Sequence, residues 1–297
     1  MKKIFSLLLS VVMVLSLSAP ALAAERDPKQ SHFTVTAPTF PDAYIITEYT
    51  PGFQYMDVDG TSGSLGTVSA TVFVEETYDW VDNEIIITDS RLLSKDEVLS
   101  IGVDNFLDLD NVPAPTSTAT NTRGKLTITF SGKYQKTNGG VSCDLTGTAG
   151  WARPDAVGSG KNNPAKGEDF LGVTWFGGFT AKNVSISGED NIHNTLDIYE
   201  TDSTPNGGRV WSFNEDIYYP KYNTYASNID LSLTLQKNKL TGDGNTAEAV
   251  LKYIHTYSKV TGSVSITPGT NSAAGSFSLS QTDDQWPLAC TITDIPY

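Results

Sequence analysis

The chain has 297 residues, of which 39% are hydrophobic and 18% charged, and this composition is sufficient to bury a folded core. A disordered or collagen-like chain is therefore excluded. The 34 acidic residues outnumber the 20 lysines and arginines, which gives a formal net charge of -14. Because proteins that bind nucleic acid present a basic surface to the phosphates, no nucleic-acid partner is expected.

The first 23 residues have the pattern of a signal peptide. Lys2 and Lys3 precede an apolar stretch at residues 4–17, and a small-residue cleavage pattern follows at residues 21–23. The apolar stretch is shorter than the roughly 20 residues that a transmembrane helix needs. We therefore expect residues 1–23 to be removed and the mature chain to be secreted, soluble and without a membrane anchor.

Alternation of apolar and polar residues is the main pattern in the rest of the chain. It is clearest at residues 68–74, 126–130, 141–145, 229–235 and 288–292. Clusters of Gly, Asn, Asp and Pro separate these segments, and an Asn138-Gly139 pair is typical of a hairpin turn. The pattern predicts an all-β protein, an antiparallel β-sandwich. Residues 246–257 fit either a strand or a helical stripe, and their aromatic and β-branched residues favour the strand.

One short helix is predicted near residues 95–103. Ser94 and Glu97 have the spacing of a capping box, in which the two residues satisfy each other's backbone N–H groups at the start of a helix. Caps of this kind usually mark structure and not function.

A Pro- and Thr-rich segment at residues 111–123 interrupts the alternation. It divides the mature chain into an N-terminal β-rich unit at residues 24–110 and a C-terminal β-sandwich at residues 124–297. Alternatively the segment is a long loop of a single sandwich, since all-β domains reach this size.

The two cysteines, Cys143 and Cys290, both fall on apolar strand faces. Because an exported protein meets oxidising conditions and the number of cysteines is even, the sequence predicts a disulfide between them. Two buried free thiols are the alternative.

Common catalytic motifs are absent, and the three histidines are far apart in the sequence. Glycoside cleavage needs only two carboxylates, so adjacent acids are candidate catalytic residues. Such pairs include Glu75-Glu76, Glu189-Asp190, Glu215-Asp216 and Asp283-Asp284. Since neighbours on a strand point to opposite faces, a catalytic partner would have to come from another strand.

Asp57 and Asp59, two residues apart before Gly60, form a candidate Ca²⁺ site, because carboxylates can converge where the backbone bends. An ordinary Asp-Gly turn is the alternative. No other cofactor is expected.

The densest aromatic cluster is Tyr218, Tyr219, Tyr222 and Tyr225, whose uneven spacing prevents all four rings from entering one core. These tyrosines are the predicted ligand-binding residues. The sequence thus favours a secreted, non-catalytic protein that binds an extracellular glycan or protein. The alternatives are a structural surface or matrix component and a carbohydrate-active enzyme that uses two carboxylates.

Overall fold

The computed structural model describes residues 33–57, 60–81, 84–108, 120–154, 168–219, 222–238, 246–257, 263–269, 275–280 and 284–297. Phe33–Tyr297 forms one compact unit. The predicted signal peptide and residues 111–119 of the predicted linker lie outside the described residues.

Six antiparallel strands form the first sheet. In spatial order they are β1 (Phe33–Thr36), β16 (Gln285–Pro296), β13 (Thr246–Thr256), β7 (Glu168–Trp175), β10 (Gly208–Asn214) and β9 (Ile198–Thr204). Residues 246–256 are thus a strand, as their composition predicted.

The second sheet has eight strands, several of them long. Its main path is β11 (Asp216–Tyr219), β12 (Tyr222–Lys237), β6 (Gly140–Ala152), β5 (Thr120–Thr137), β3 (Gly60–Val81) and β2 (Ile45–Asp57). Two more strands extend the edges: β4 (Glu84–Leu92) pairs with β3, and β8 (Thr180–Asp190) pairs with β12. A separate hairpin of β14 (Val264–Thr267) and β15 (Ser276–Leu279) supplies Ile266 and Phe277 to a small apolar cluster that also contains Phe170 of β7.

The two sheets pack face to face, and the predicted antiparallel β-sandwich is confirmed. Strand β6 shows the cause, because its residues alternate between buried and more exposed positions along its whole length. Its apolar face meets residues of the six-stranded sheet, such as Leu251 and Leu288, in one continuous core.

Strands from both predicted units lie side by side in the eight-stranded sheet. Strand β3, from the predicted N-terminal unit, pairs with β5 from Gly60↔Thr137 to Tyr78↔Thr120. The Asn138-Gly139 pair forms a two-residue turn, because Thr137 of β5 is opposite Gly140 of β6. Strands that precede and follow the segment predicted to be a linker or loop therefore belong to the same sheet.

The predicted helix is present as α1 (Lys95–Ile101). Glu97 accepts hydrogen bonds from the Ser94 backbone N–H at 2.8 Å and from the Ser94 hydroxyl at 2.7 Å. Val98 packs with Phe73 and Phe106 in a small apolar cluster. Within the described ranges, no helix is both long and apolar enough to cross a membrane.

The predicted disulfide is wrong. Cys143 lies on β6 of one sheet and Cys290 on β16 of the other, and both are buried free cysteines. Burial raises the pKa of the Cys290 thiol to about 12 and also raises that of Cys143. Both thiols therefore stay protonated and act as small apolar core residues.

Candidate functional site

Five ionisable side chains converge at one end of the sandwich. We call Glu76, Arg153, Asp169, Glu215 and His255 the buried charge cluster. Each of these five residues is buried. Each also occupies the next inward position beyond an apolar strand face, as Glu76 does after Val68, Ala70, Val72 and Val74.

The cluster joins the two sheets. Glu76 belongs to β3 and Arg153 directly follows β6, both in the eight-stranded sheet. Asp169 of β7 and His255 of β13 come from the six-stranded sheet, whereas Glu215 lies where the chain passes from β10 to β11. The ionic contacts therefore run between the sheets and along the connection between them.

Arg153 binds two carboxylates. Its Nη1 and Nη2 atoms donate to Glu76 Oε2 and Oε1 at 3.1 Å and 3.3 Å, which is a bidentate pair. Its Nη2 atom also donates to Glu215 Oε1 at 2.6 Å. The guanidinium lies over the ring of Trp151, 4.3 Å from the ring centroid, where a cation-π contact adds to the attraction.

His255 faces carboxylates at both ring nitrogens. The Nε2 atom is 3.2 Å from Glu76 Oε1, and the Nδ1 atom is 2.9 Å from Glu215 Oε2 and 3.2 Å from Asp169 Oδ2. Trp151 and Trp286 lie against the imidazole, with ring centroids 5.2 Å and 4.9 Å away. Two N–H groups and a positive charge suit this environment, so the ring fits best as an imidazolium.

A chain of hydrogen bonds extends the cluster into the core. The Trp151 indole N–H donates to the Tyr253 hydroxyl at 2.8 Å, and this hydroxyl donates to Asp169 Oδ2 at 2.5 Å. The backbone N–H of Thr256 donates to Asp169 Oδ1 at 2.8 Å. Asp169 is thus a carboxylate with several donors, which favours its ionised form.

The charges of these five groups balance if the cluster holds one additional proton. Three carboxylates face one guanidinium and one imidazolium, which leaves one negative charge in excess inside the protein. Burial, opposed by Arg153 and reinforced by Asp169, raises the pKa of Glu215 well above its usual range. Its Oε2 atom has no well-aligned hydrogen-bond partner. Glu215 is therefore the carboxyl group that carries the extra proton.

The other groups in the cluster shift so as to remain charged. Burial raises the pKa of Glu76, but the nearby Arg153 and His255 outweigh it and leave the pKa lowered. The pKa of Asp169 is lowered in the same way, with His255 as the main opposing charge. Burial lowers the pKa of His255, but its carboxyl neighbours outweigh burial and raise this pKa well above its usual value. Glu215 does so by charge only while it is ionised, whereas Asp169 stays ionised and both groups also hydrogen-bond the ring.

A metal ion is the other way to neutralise this cluster. Glu76, Glu215 and His255 each offer a ligand atom, and these atoms lie within 4.8 Å of one another. However, the Arg153 guanidinium already contacts both of these glutamates, and each nitrogen of His255 faces a carboxylate at hydrogen-bonding distance. These donors fit an ion-pair network better than metal coordination.

Two of the candidate catalytic acids, Glu76 and Glu215, belong to the buried charge cluster. Glu76 points inward while Glu75 binds Arg91 on the other face, and Glu76 meets Glu215 only through Arg153 and His255. No more than 4% of any cluster side chain is exposed. In this conformation a substrate could not touch the carboxylates.

An open groove lies at the other end of the long strands, on the outer face of the eight-stranded sheet. Its volume is about 440 Å³. The described residues that line it come from β2, β3, β5 and β6: Phe53, Ser62, Gly63, Ser64, Lys133, Tyr134, Gln135, Ser142 and Asp144. We call this feature the sheet groove. From Ser64 to Glu76 along β3 the distance is about 40 Å at 3.3 Å per residue, so the groove and the buried charge cluster are far apart.

A smaller groove of about 230 Å³ continues from the sheet groove. It shares Gln135 and Ser142 with the sheet groove and reaches Gln236 and Asn238 near the end of β12. The outer face beside the grooves carries hydroxyl groups that pair across strands, including Ser131 with Thr146 at 2.9 Å. Together these features make a polar, open strip across the sheet.

The predicted tyrosine site lies on the β11–β12 hairpin. Tyr219 is opposite Tyr222 at the hairpin turn, and Tyr218 is opposite Asn223. Tyr225 is partly buried and packs against the main core. The ligand-binding role of the four tyrosines stays a prediction.

The predicted cation site falls between β2 and β3. Asp57 is the last residue of β2, and its backbone is opposite Gly60, the first residue of β3. Asp59 lies outside the described residues, as does the side chain of Asp57, so Ca²⁺ binding stays a prediction.

Comparisons with known proteins identify no relative. No family model matches the chain, and no curated protein matches it. Among solved structures, the Clostridium perfringens NetB toxin in its membrane-inserted form is 8% identical, with 86% of this chain and 100% of that chain covered and a TM-score of 0.22. A chain described as a pore forming protein is 9% identical, with 83% and 99% covered and a TM-score of 0.20.

A third structure holds manganese lipoxygenase of Gaeumannomyces graminis and part of zonadhesin of Komagataella pastoris. It is 11% identical, with 89% of this chain and 96% of that chain covered and a TM-score of 0.19. Similarities this weak indicate neither a shared family nor a shared function.

Proposed function

We propose that this chain is a secreted, non-catalytic β-sandwich protein that binds an extracellular polymer through the sheet groove. The observation that carries the proposal is the groove itself, which is open and mixed in polarity and has a large aromatic residue at its edge. Phe53 is 65% exposed, although an aromatic side chain of this size is usually buried. An exposed ring beside polar groups is a common contact surface for a ligand. Secretion is part of the proposal and rests on residues 1–23.

The described part of the groove does not supply the pair of carboxyl groups that hydrolysis of a glycan requires. Retaining and inverting glycosidases use two facing carboxyl groups. Among the described residues that line the sheet groove, Asp144 is the one acid and Lys133 the one base. Asp144 also accepts a hydrogen bond from Thr234 at 2.7 Å. This arrangement supports recognition of a ligand without chemical change.

A second surface competes with the groove. The β11–β12 hairpin carries the tyrosines that the sequence analysis singled out, at the opposite edge of the sheet from β2. The two surfaces do not share a residue, so substitutions can separate them.

The experiment measures retention of the mature protein by immobilised extracellular polymers, both polysaccharides and matrix proteins. We expect Phe53→Ala to reduce retention. Tyr199→Ala is the matched control, because Tyr199 is 61% exposed on β9 of the other sheet. Loss of retention in Tyr219→Ala with normal retention in Phe53→Ala would move the site to the hairpin. A chain that no polymer retains would refute the proposed function.

A further inference from the structure

We infer that the sheet groove binds a neutral glycan chain that runs across the strands from Phe53 towards Asn238. This inference rests on the proposed function and names the chemical class of its ligand. Three observations carry it: the charge of the groove, the arrangement of its aromatic and polar groups, and its length.

The described residues that line the sheet groove carry no net charge, although the protein as a whole is strongly acidic. Lys133 and Asp144 are opposite each other on β5 and β6, and one positive charge offsets one negative charge. Lys237 also lines the smaller continuation, but its ammonium group donates to the backbone oxygen of Gly177. The whole chain carries a formal charge of -14, which repels a polyanion as it approaches. The same net charge attracts a polycation at long range, but within the groove a polycation would meet one acid that is already beside a lysine. The local charge therefore favours an uncharged ligand.

The groups in the groove match the two kinds of surface that a sugar presents. The exposed ring of Phe53 offers a flat apolar face on which the C–H face of a sugar can stack. Phe53 is opposite Ser64 of β3, and Ser64 is opposite Lys133 of β5. The Phe53 ring is therefore next to groups that can form hydrogen bonds. Gln135 and Ser142 add an amide and a hydroxyl, which can each donate and accept. Donors and acceptors in mixture suit hydroxyl groups better than they suit ions.

The strip is long enough for several sugar units. The sheet groove and its smaller neighbour share Gln135 and Ser142, and together they are lined by residues of β2, β3, β5, β6 and β12. Four intervals between neighbouring strands span about 19 Å. A single sugar would occupy part of this length, so an oligosaccharide or a polysaccharide chain is the better fit.

The test compares polysaccharides that share a backbone and differ in charge. Hydroxyethyl, carboxymethyl and diethylaminoethyl derivatives of cellulose supply neutral, anionic and cationic forms, and neutral xylan, glucomannan, galactan and dextran extend the range of backbones. Affinity electrophoresis ranks the polymers, and calorimetry with matching oligosaccharides gives Kd. We expect a neutral polymer to bind best. Its Kd should change less than about 2-fold between ~20 mM and ~500 mM salt, because ion pairing contributes little.

Variants connect the binding to the groove. Phe53→Ala should weaken binding about 5-fold through loss of ring stacking. Lys133→Gln should also weaken it, whereas Tyr199→Ala should not. Because Phe53 is mostly exposed, its replacement should leave the melting temperature unchanged, and this measurement excludes unfolding as the cause.

The possible failures are distinguishable. Preferred binding of the anionic or cationic derivative, or a Kd that rises steeply with salt, would overturn the neutral ligand and leave the proposed function in place. Retention by immobilised proteins and by none of the glycans would also overturn the neutral glycan ligand and leave the proposed function in place. Binding of a neutral glycan that Phe53→Ala does not weaken would overturn the path across the groove. Absence of binding to every polymer would refute both proposals.

Discussion

The proton assigned to Glu215 makes replacement by glutamine an informative perturbation. A glutamine has nearly the shape of the protonated glutamic acid and cannot ionise. Its carbonyl can still accept the hydrogen bond from Arg153, which is 2.6 Å long in the native chain. We therefore expect Glu215→Gln to fold, although the substitution alters a fully buried charged residue.

The size of the effect follows from the pKa difference between the folded and unfolded chain. In the unfolded chain the pKa of Glu215 is close to its usual value of 4.5, whereas in the folded protein it is well above that value. Folding at pH 7 must therefore take up a proton, which lowers the free energy of unfolding by about 1.4 kcal/mol for each pH unit above 4.5. At pH 7, about 2.5 pH units above that value, the cost is at most about 3 kcal/mol.

The sign of the pH dependence is specific. A group whose pKa rises on folding contributes most stability at low pH and loses it as pH rises towards the folded-state pKa. Glu215→Gln should thus be about as stable as the native protein near pH 4.5 and up to about 3 kcal/mol more stable at pH 7. The measurement is urea unfolding of both proteins at several pH values from 4.5 to 8. A variant that is less stable at pH 7 by more than about 2 kcal/mol would show that Glu215 is ionised.

Glu76→Gln should have the opposite effect, because Glu76 is an ionised partner of Arg153 and His255. Removing its charge should lower the free energy of unfolding by about 3–5 kcal/mol, measured by urea unfolding at pH 7. Glu76 and Asp169 have lowered pKa values, so native stability should also fall as pH drops below about 4, which circular dichroism during acid titration can follow. Cys143 and Cys290 should not react with a thiol reagent in the native protein and should both react after unfolding. Reduction should leave the mass unchanged, and a gain of two hydrogen atoms on reduction would show that the two cysteines form a disulfide. Glu97→Ala should lower the free energy of unfolding by about 1 kcal/mol through loss of the helix cap, and unchanged thermal stability would contradict the capping role.

The fold was predictable because its main determinant is local. Alternation with a period of two identifies which residues face the core, and it placed Val68, Leu126, Cys143 and Leu231 correctly. The pairing of strands was not predictable in the same way. Strand β13 lies between β7 and β16, which are distant in the sequence, and the sequence pattern contains no information about which distant strands meet.

The buried charge cluster could have been found by following the same alternation one step further. Asp169 precedes Leu171, Val173 and Trp175 at the same spacing of two, and His255 follows Leu251 and Tyr253. When several strands each end their apolar face with a charged residue, the pattern therefore indicates a buried network of ion pairs. The disulfide prediction failed for a related reason: alternation places both cysteines in the core but does not say which residues lie across from them.

Long strands allow one sheet to carry two different kinds of polar group. On the inward face of β3, Glu76 is neutralised by partners from both sheets and contributes to the stability of the sandwich. About 40 Å away on the outward face, Ser62 and Ser64 line a groove that no part of the described chain covers. Polar groups of the buried charge cluster must be satisfied by other protein groups, because water is excluded there. Polar groups of the sheet groove remain available to a ligand, so ligand recognition is assigned to the groove and not to the more densely charged cluster.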